Sequence, residues 1–461
     1  MRPYLLIDFG STYTKLTAVD LAAPAVLGTA SALTTVEEGL IVGYQKARQE
    51  LAKAVGSLAY EARIACSSAA GGLRLVAIGL VPELTVEAAK RAALGAGARV
   101  VGTYGFELTG SDLEEIMSLQ PDLVLLAGGT DGGNKTALRH NGQLLAASPL
   151  SVPLILAGNK TVAPEVEELL RRAGKICYRV PNVLPQLDRL NIKPVQEKIR
   201  EVFLARIIRA KGLREVEREL DGILMPTPAA VLSAAERLAA GPGNGRRGWG
   251  ELLLVDVGGA TTDVHSIAEG RPTKPQVFSA GLPEPKVKRS VEGDLGMRVS
   301  ALALLEQFTP AVVAALANLS EEKVIAGVRA RAGNPDYLPT DGEDQRLETV
   351  LGYLAVKGAT ERHVGKLERV YSTQGVCYLQ EGKDLTALPT VIGTGGVLVH
   401  APSVRRILAG VLPTPDHPEL LKPQAPRFYL DQYYLFSTLG LIAKKYPEIS
   451  FCLLEKALKP V

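Results

Sequence analysis

"LLIDFGSTYTKL", residues 5–16, runs a buried apolar strand into an aspartate, a glycine and a row of hydroxyls, then leaves as a second strand. The tip admits two readings. One is a plain hairpin whose turn uses Gly10 and Ser11 because such residues tolerate tight backbone geometry. The other is a phosphate cradle, in which Gly10, Ser11, Thr12, Tyr13 and Thr14 gather donors around an anion. "LLLVDVGGATTDVHSI", 252–267, repeats the pattern. There Asp256 ends an apolar strand, Gly258, Gly259, Ala260, Thr261 and Thr262 follow, and a second strand begins. One such hairpin is common; two copies, one in each half of the chain, are hard to explain by folding alone. Asp8 and Asp256 cannot hold phosphate directly, but carboxylates suit magnesium and its waters, which phosphates share. Lys15 either pairs with phosphate charge or, since side chains alternate along a strand, faces solvent. A third element, Gly393, Thr394, Gly395 and Gly396, has the composition of a turn over which a nucleoside lies flat. Taken alone it equally fits an ordinary helix start after a strand.

Around these turns the totals exclude several classes. With 461 residues, two or more domains are expected. Hydrophobic content of 46% and charge of 22% belong to a soluble globular protein, and 52 basic against 49 acidic residues give no nucleic-acid or membrane footprint. Cys66, Cys177, Cys377 and Cys452 are too scattered for a zinc site or disulfide framework, which fits a reducing compartment. No signal peptide precedes the first strand and no apolar run is long enough to cross a bilayer, so a cytoplasmic location is expected.

Along the chain, strands at 4–8 and 14–19 flank the first turn. From about 60 to 185 apolar runs alternate with helical stretches, from "RIACSSAA" through "LRLVAIGL" and "PDLVLLAGG" to "VPLILAG", the pattern of a parallel sheet covered on both faces. Helices are expected over 193–220 and 228–240. "AAGPGNGRRGWG", 239–250, is a glycine-rich break and the expected boundary between halves. The region 281–385 reads as mixed, 390–410 as strand-turn-helix and 428–459 as packed helices.

"DFGSTYTK", "DVGGATTD" and "GTGG", in this order, resemble the phosphate-1, phosphate-2 and adenosine motifs of the actin, Hsp70 and sugar-kinase superfamily. The resemblance implies an α/β chain of two RNase-H-like, actin-like ATPase domains with ATP and Mg2+ in the cleft between them. On that reading 1–240 is the first domain, with a parallel α/β insertion over about 60–185, and 250–461 is the second, with an inserted subdomain over about 281–385. Asp8 and Asp256 are then the catalytic and metal-associated carboxylates. Gly10, Ser11, Thr12, Tyr13, Thr14, Lys15, Gly258, Gly259, Ala260, Thr261, Thr262, Gly393, Thr394, Gly395 and Gly396 hold the nucleotide. "MPTPAAVLSAAERLA", 225–239, resembles the segment where Hsp70-like ATPases carry an acidic residue that orients the attacking water. Met225 stands there, and a thioether is no base, so hydrolysis is slow or uses another carboxylate.

The full length is similar to the GlmL family, also called MutL, on "LLIDFGSTYTKLTAVD", "LLAGGTDGGNKTA", "LILAGNK", "DVGGATTDVHS", "SVEGDLGMR" and "GTGGVLVH". This is not the DNA mismatch-repair family, whose ATP motifs are absent. The resemblance implies an ATP-dependent accessory protein that reactivates or assembles an adenosylcobalamin-dependent mutase, with the mutase subunits as partners and a homodimer compatible. The alternatives are a small-molecule kinase or ATPase of the same superfamily and an actin-like filament protein.

Other features have a bland reading beside the sharper one. Asp131 and Asn134 in "LAGGTDGGN", 126–134, reach a phosphate or only close a strand-to-helix loop. The strand-helix rhythm over 86–134 is that of a cobalamin-binding domain without its Asp-x-His-x-x-Gly signature. Glu292, Asp294 and Arg298 line the cleft or cap a helix. His140, His265, His363, His400 and His417 show no metal spacing and read as surface or loop residues.

Overall fold

The fold was obtained as a computed structural model, which describes residues 1–461 apart from 11, 36–38, 69–72, 211, 212, 335 and 374. The chain opens with β1 (Pro3–Phe9), β2 (Tyr13–Asp20), β3 (Ala25–Leu33) and β4 (Ala62–Ser67). It continues through β5 (Arg74–Ile78), β6 (Arg99–Tyr104), β7 (Leu123–Leu126), β8 (Leu154–Leu156) and β9 (Cys177–Arg179) before returning as β10 (Gly222–Pro226). The first core sheet has the order β10-β4-β1-β2-β3, with β1–β2 and β2–β3 antiparallel and the other pairs parallel. Between β4 and β10, the strands β5 to β9 form a separate all-parallel sheet in the order β6-β5-β7-β8-β9. Such a doubly wound order places helices on both faces, which explains the continuous apolar strands. β4, which reads in sequence with the parallel run, pairs with β1 instead.

The second core follows: β11 (Leu252–Val257), β12 (Thr262–Ile267), β13 (Val277–Ala280), β14 (Val287–Glu292), β15 (Lys366–Ser372), β16 (Gly375–Glu381), β17 (Thr390–Thr394), β18 (Arg427–Asp431) and β19 (Leu458–Pro460). Its main sheet has the order β14-β12-β11-β17-β18-β19, and its first five strands repeat the antiparallel-then-parallel pattern of the first core. Two such sheets in one chain give an α/β fold with a repeated core sheet, one in each half, as the motif resemblance implies. β13, β15 and β16 form a small sheet apart. The segment 428–431, expected to be helical, belongs to the strand β18: Phe428, Leu430 and Asp431 are buried, and the four residues from Arg427 to Leu430 pair with β17.

Strand alternation decides where the aspartates emerge. Leu5, Ile7 and Phe9 pack into a core shared with the inserted sheet. Tyr4 and Leu6, of opposite parity, pack with Leu252, Leu254 and Ile392 into a cluster that joins the two halves. Side chains repeat every second residue, so Asp8 follows Leu6 and Asp256 follows Leu254 onto these facing sides. The helix Thr227–Ala240 fills the base between the sheets through Ala230, Ala234 and Leu238. Each large side chain buried there contributes about 1.5–3 kcal/mol.

Candidate nucleotide site

The two hairpins close in the same way. Gly10 donates its N–H to Tyr13 O at 3.1 Å, and Gly258 donates to Thr261 O at 2.9 Å. A Cβ at position 10 would lie 2.6 Å from Tyr13 O, so only glycine fits that tip. Register pairs Asp8 with Lys15 and Asp256 with Asp263. The same strand position therefore carries a cation in one half and a carboxylate in the other.

Asp8 is 1% exposed. Its Oδ1 accepts from Thr227 Oγ1 at 2.6 Å and Cys66 Sγ at 3.6 Å, while Oδ2 has no hydrogen-bond partner and lies 3.9 Å from Lys15 Nζ. Burial pushes the Cys66 thiol well up, so it remains a neutral donor. Asp256 is pushed up to about 7, first by desolvation and then by Asp263, while Lys15 and the Tyr434 hydroxyl pull the other way. Desolvation likewise lowers Lys15, against the attraction of Asp8 and Asp256.

Tyr434 bridges the hairpins. Its hydroxyl donates to Asp256 Oδ1 at 3.2 Å, and Lys15 Nζ lies 3.2 Å from its ring centre, a cation–π contact. Asp431 anchors this segment by accepting from Leu435 N, Phe436 N and Thr394 Oγ1 at 2.9, 3.1 and 3.0 Å. Thr227, Tyr434 and Asp431 were not singled out as site residues from sequence. Thr227 stands two residues after Met225, in the segment already resembling an ATPase motif, and that was the one available signal.

The expected site residues divide. Tyr13 reaches across to the second half, donating to Asp336 Oδ1 at 3.1 Å. Thr12 accepts from Thr34 N through its carbonyl at 2.8 Å. Thr14 turns its hydroxyl to Thr34 and Thr262 turns its own to Leu295 O, both away from the cleft. Thr261 donates to Asp263 Oδ2 at 3.0 Å. The carbonyls of Gly258, Gly259 and Ala260 are taken by Met297 N, Arg298 N and Ser300 Oγ, so the segment 297–300 braces the second turn. Gly393 and Thr394 lie beside Val255 and Asp256 in register. Gly395 has φ +109°, and a Cβ there would lie 2.9 Å from Asp256 Oδ1; Gly396 is open and exposed. Ser11 lies outside the described residues.

Met225 is half-buried on β10, beside Cys66, and packs into the cluster between the halves. Arg298 pairs with Glu348 at 2.8 Å, and Arg362 holds both Glu292 and Asp294. Asp131 accepts from Lys160 N and Asn182 Nδ2, and Asn134 from Ala137 N, so both stitch their own loop. Two of the histidines differ from expectation. His265 and His363 are buried in the second core, where desolvation lowers His265 to about 3 and His363 well below its ordinary value. His363 bridges Ser290 and Ser266, which makes it a polar link inside the core.

Asp8, Asp256 and Asp431 thus surround one ammonium, Lys15, with Asp8 Oδ2 lacking a hydrogen-bond partner, while Asp263 is paired with Arg289. A divalent cation arriving with phosphate oxygens fits this excess of negative charge. Among the described residues no group of three or more His, Cys, Asp or Glu side chains could hold a metal alone. No described helix is long and apolar enough to cross a membrane.

The MutL protein family profile matches residues 4–458. The chain belongs to the MutL family. It is 48% identical over 465 residues to Protein MutL of Clostridium tetanomorphum, covering all of both chains. Among solved structures, this MutL-family chain is similar to nucleotide-free acetone carboxylase, with a TM-score of 0.39, 12% identity and coverage of 95% of this chain and 70% of that one. It is also similar to a glucokinase of Streptomyces griseus in complex with glucose and AMPPNP, with a TM-score of 0.33, 11% identity and coverage of 95% and 97%. A third similarity is to nucleotide-free diol dehydratase-reactivating factor, with a TM-score of 0.34, 10% identity and coverage of 97% and 100%.

Proposed function

We propose that this protein binds ATP with Mg2+ between its two halves and acts as a nucleotide-dependent accessory factor for an adenosylcobalamin-dependent mutase, reopening or assembling that enzyme. The observation that carries the nucleotide reading is the convergence of Asp8 and Asp256 from matching hairpins, with Asp8 Oδ2 unsatisfied. Backbone N–H groups of the turns would face the phosphates, with Lys15 beside them. Asp8 and Asp256 would hold the cation through its waters, and the cation would supply charge neutralisation for the phosphates. Thr227 fixes the rotamer of Asp8, and Tyr434 holds Asp256.

Met225 offers no general base, which supports a switch with slow turnover over a kinase. Cleft closure around a ligand is a standard two-state device, and the bound nucleotide can bias it only by its differential affinity for open and closed states. The mutase as partner follows from the family resemblance. The inserted sheet is tied to the second core through its helix Glu87–Ala96, where Arg91 donates to Glu284 and Arg289 donates to Leu94 O.

The test is calorimetric titration with ATP and magnesium, alone and then with the mutase carrying inactivated cobalamin. ATP binding together with release of the damaged cofactor supports the proposal. Binding without effect on a mutase shifts the reading to a kinase or ATPase, and absence of binding removes the nucleotide site.

A further inference from the structure

Tyr13 and Lys15 lie two residues apart on β2, and Lys15 pairs in register with Asp8, so all three side chains leave the first hairpin on one face. Exposure rises along that face: Asp8 is 1% exposed, the Lys15 side chain 24% and Tyr13 38%. Asp8 and Lys15 therefore form the floor of the cleft, and Tyr13 stands at its mouth.

At the mouth Tyr13 meets the second half. Its hydroxyl donates to Asp336 Oδ1 at 3.1 Å, and desolvation together with Asp336 pushes the phenol up, so it remains a protonated donor. Asp336 stands on the connection between the helices Glu321–Gly333 and Gly342–His363. Among the described residues, the Tyr13 hydroxyl is the one side-chain donor to this carboxylate.

The mounting behind Asp336 is firm. Tyr337 O accepts from Arg298 Nε and Nη2 at 3.2 and 2.9 Å, the Tyr337 hydroxyl donates to Asp344 Oδ2 at 2.6 Å, and Thr340 N donates to the same oxygen at 3.1 Å. Arg298 is 8% exposed, and its own N–H donates to Gly259 O at 2.8 Å, in the second turn. One path thus runs from the second turn through Arg298 and Tyr337 to Asp336, and across to the first turn at Tyr13. Phosphates held between the turns would bring several negative charges toward a carboxylate whose partner is a neutral phenol, and like charges in a partly desolvated cleft repel.

We propose that Tyr13 and Asp336 form a latch across the mouth of the nucleotide cleft, which phosphates must break to enter. The latch takes its role from the nucleotide reading above and regulates that same site. Because latch and phosphates exclude each other, only the unlatched fraction binds, and apparent affinity is reduced by that fraction. Entry of nucleotide frees Asp336 from the first turn, and Tyr337 and Arg298 carry that change to the second.

The test uses the full chain with Tyr13 replaced by a fluorotyrosine, and reads its fluorine resonance. Without nucleotide, Asp336→Ala should move the resonance, since the acceptor is gone; an unmoved resonance overturns the latch. Saturating Mg-ATP should move the resonance of the chain that keeps Asp336 toward the position seen in Asp336→Ala, whereas ATP that binds and leaves it in place overturns the gating role. In titration calorimetry Asp336→Ala and Tyr13→Phe should each tighten Mg-ATP about fivefold, with faster association by stopped flow. The double variant should gain no more than the better single one, because both remove the same contact. Weaker binding by Asp336→Ala would make Asp336 a holder of the cation and overturn the latch. If neither the wild type nor the unlatched variants bind Mg-ATP, the nucleotide reading falls and the gating role with it. The resonance without nucleotide still reports the contact, so that failure is distinguishable from failure of the latch itself.

Discussion

The Tyr434 hydroxyl donates to Asp256 Oδ1 across 3.2 Å, so one side chain ties the second hairpin to a ring that already carries Lys15 of the first. Tyr434 holds φ 58°, a left-handed conformation that costs about 1–2 kcal/mol for a residue with a Cβ. Asp431 keeps it there through Leu435 N and Phe436 N. The hydroxyl favours the ionised form of Asp256. Tyr434→Phe removes that hydrogen bond, of about 1 kcal/mol, raises Asp256 further and should weaken Mg-ATP about fivefold at pH 7 in titration calorimetry. Unchanged or tighter binding would show that the hydroxyl does not support the carboxylate.

Asp256 sets a pH dependence. Its folded value of about 7 lies above the ordinary carboxylate, so between that ordinary range and 7 the apo protein holds a proton which a cation must displace. Mg-ATP affinity should fall up to about tenfold per pH unit below 7. Without cation the sign for stability is the opposite: the proton is held below 7, and the stability it contributes is lost as pH rises through 7. Asp256→Asn should flatten both profiles. A wild-type affinity that is level from pH 5 to 8 would contradict the desolvated carboxylate.

Asp8, Gly10, Asp256 and Gly258 were legible because a hairpin tip is local: strand parity, turn glycine and carboxylate lie within a few residues. Tyr434 and Asp431 were not, because they reach the site only through the pairing of β18 with β17, and 427–431 is too short and apolar to tell from a helix by period. β4 was read with the inserted sheet for a related reason, since an apolar parallel strand carries no mark of which sheet it joins. His265 and His363 were read as peripheral because their cover comes from strands and helices far away in sequence.

Thr227 supplies the shortest contact to Asp8, 2.6 Å to Oδ1. Thr227→Val keeps the shape and removes the donor from a buried carboxylate whose other oxygen is already unsatisfied. A loss of about 1–3 kcal/mol in urea unfolding is expected, with weaker Mg-ATP binding because the carboxylate is no longer oriented. Thr227→Ser should restore both.

His265 and His363 make the second core acid-labile. Both are held neutral, with values below the ordinary histidine range, His265 at about 3. The stability of the neutral, buried forms is present above about pH 6.5 and is lost as pH falls, by up to roughly 1.4 kcal/mol per pH unit for each group. Urea midpoints between pH 7 and 5 should show this slope, and His363→Asn should reduce it. Equal slopes would place the lability elsewhere.

Arg289 joins the second hairpin to the inserted sheet. It is 5% exposed, donates to Asp263 Oδ1 at 2.8 Å, and donates to Leu94 O and Ala98 O at 3.0 and 3.2 Å, at the end of the helix Glu87–Ala96. Removing one partner of a buried pair strands the other, so Arg289→Met should cost about 3–5 kcal/mol. Adding Asp263→Asn removes the stranded charge and should recover a large part of it. The two variants also separate a strut from a link to the nucleotide. Asp263 already raises Asp256, and an unneutralised Asp263 raises it further, so Arg289→Met should move the pH at which Mg-ATP binding weakens upward, while the double variant moves it below the wild-type position. A loss of stability with an unmoved pH profile would leave Arg289 a structural residue alone.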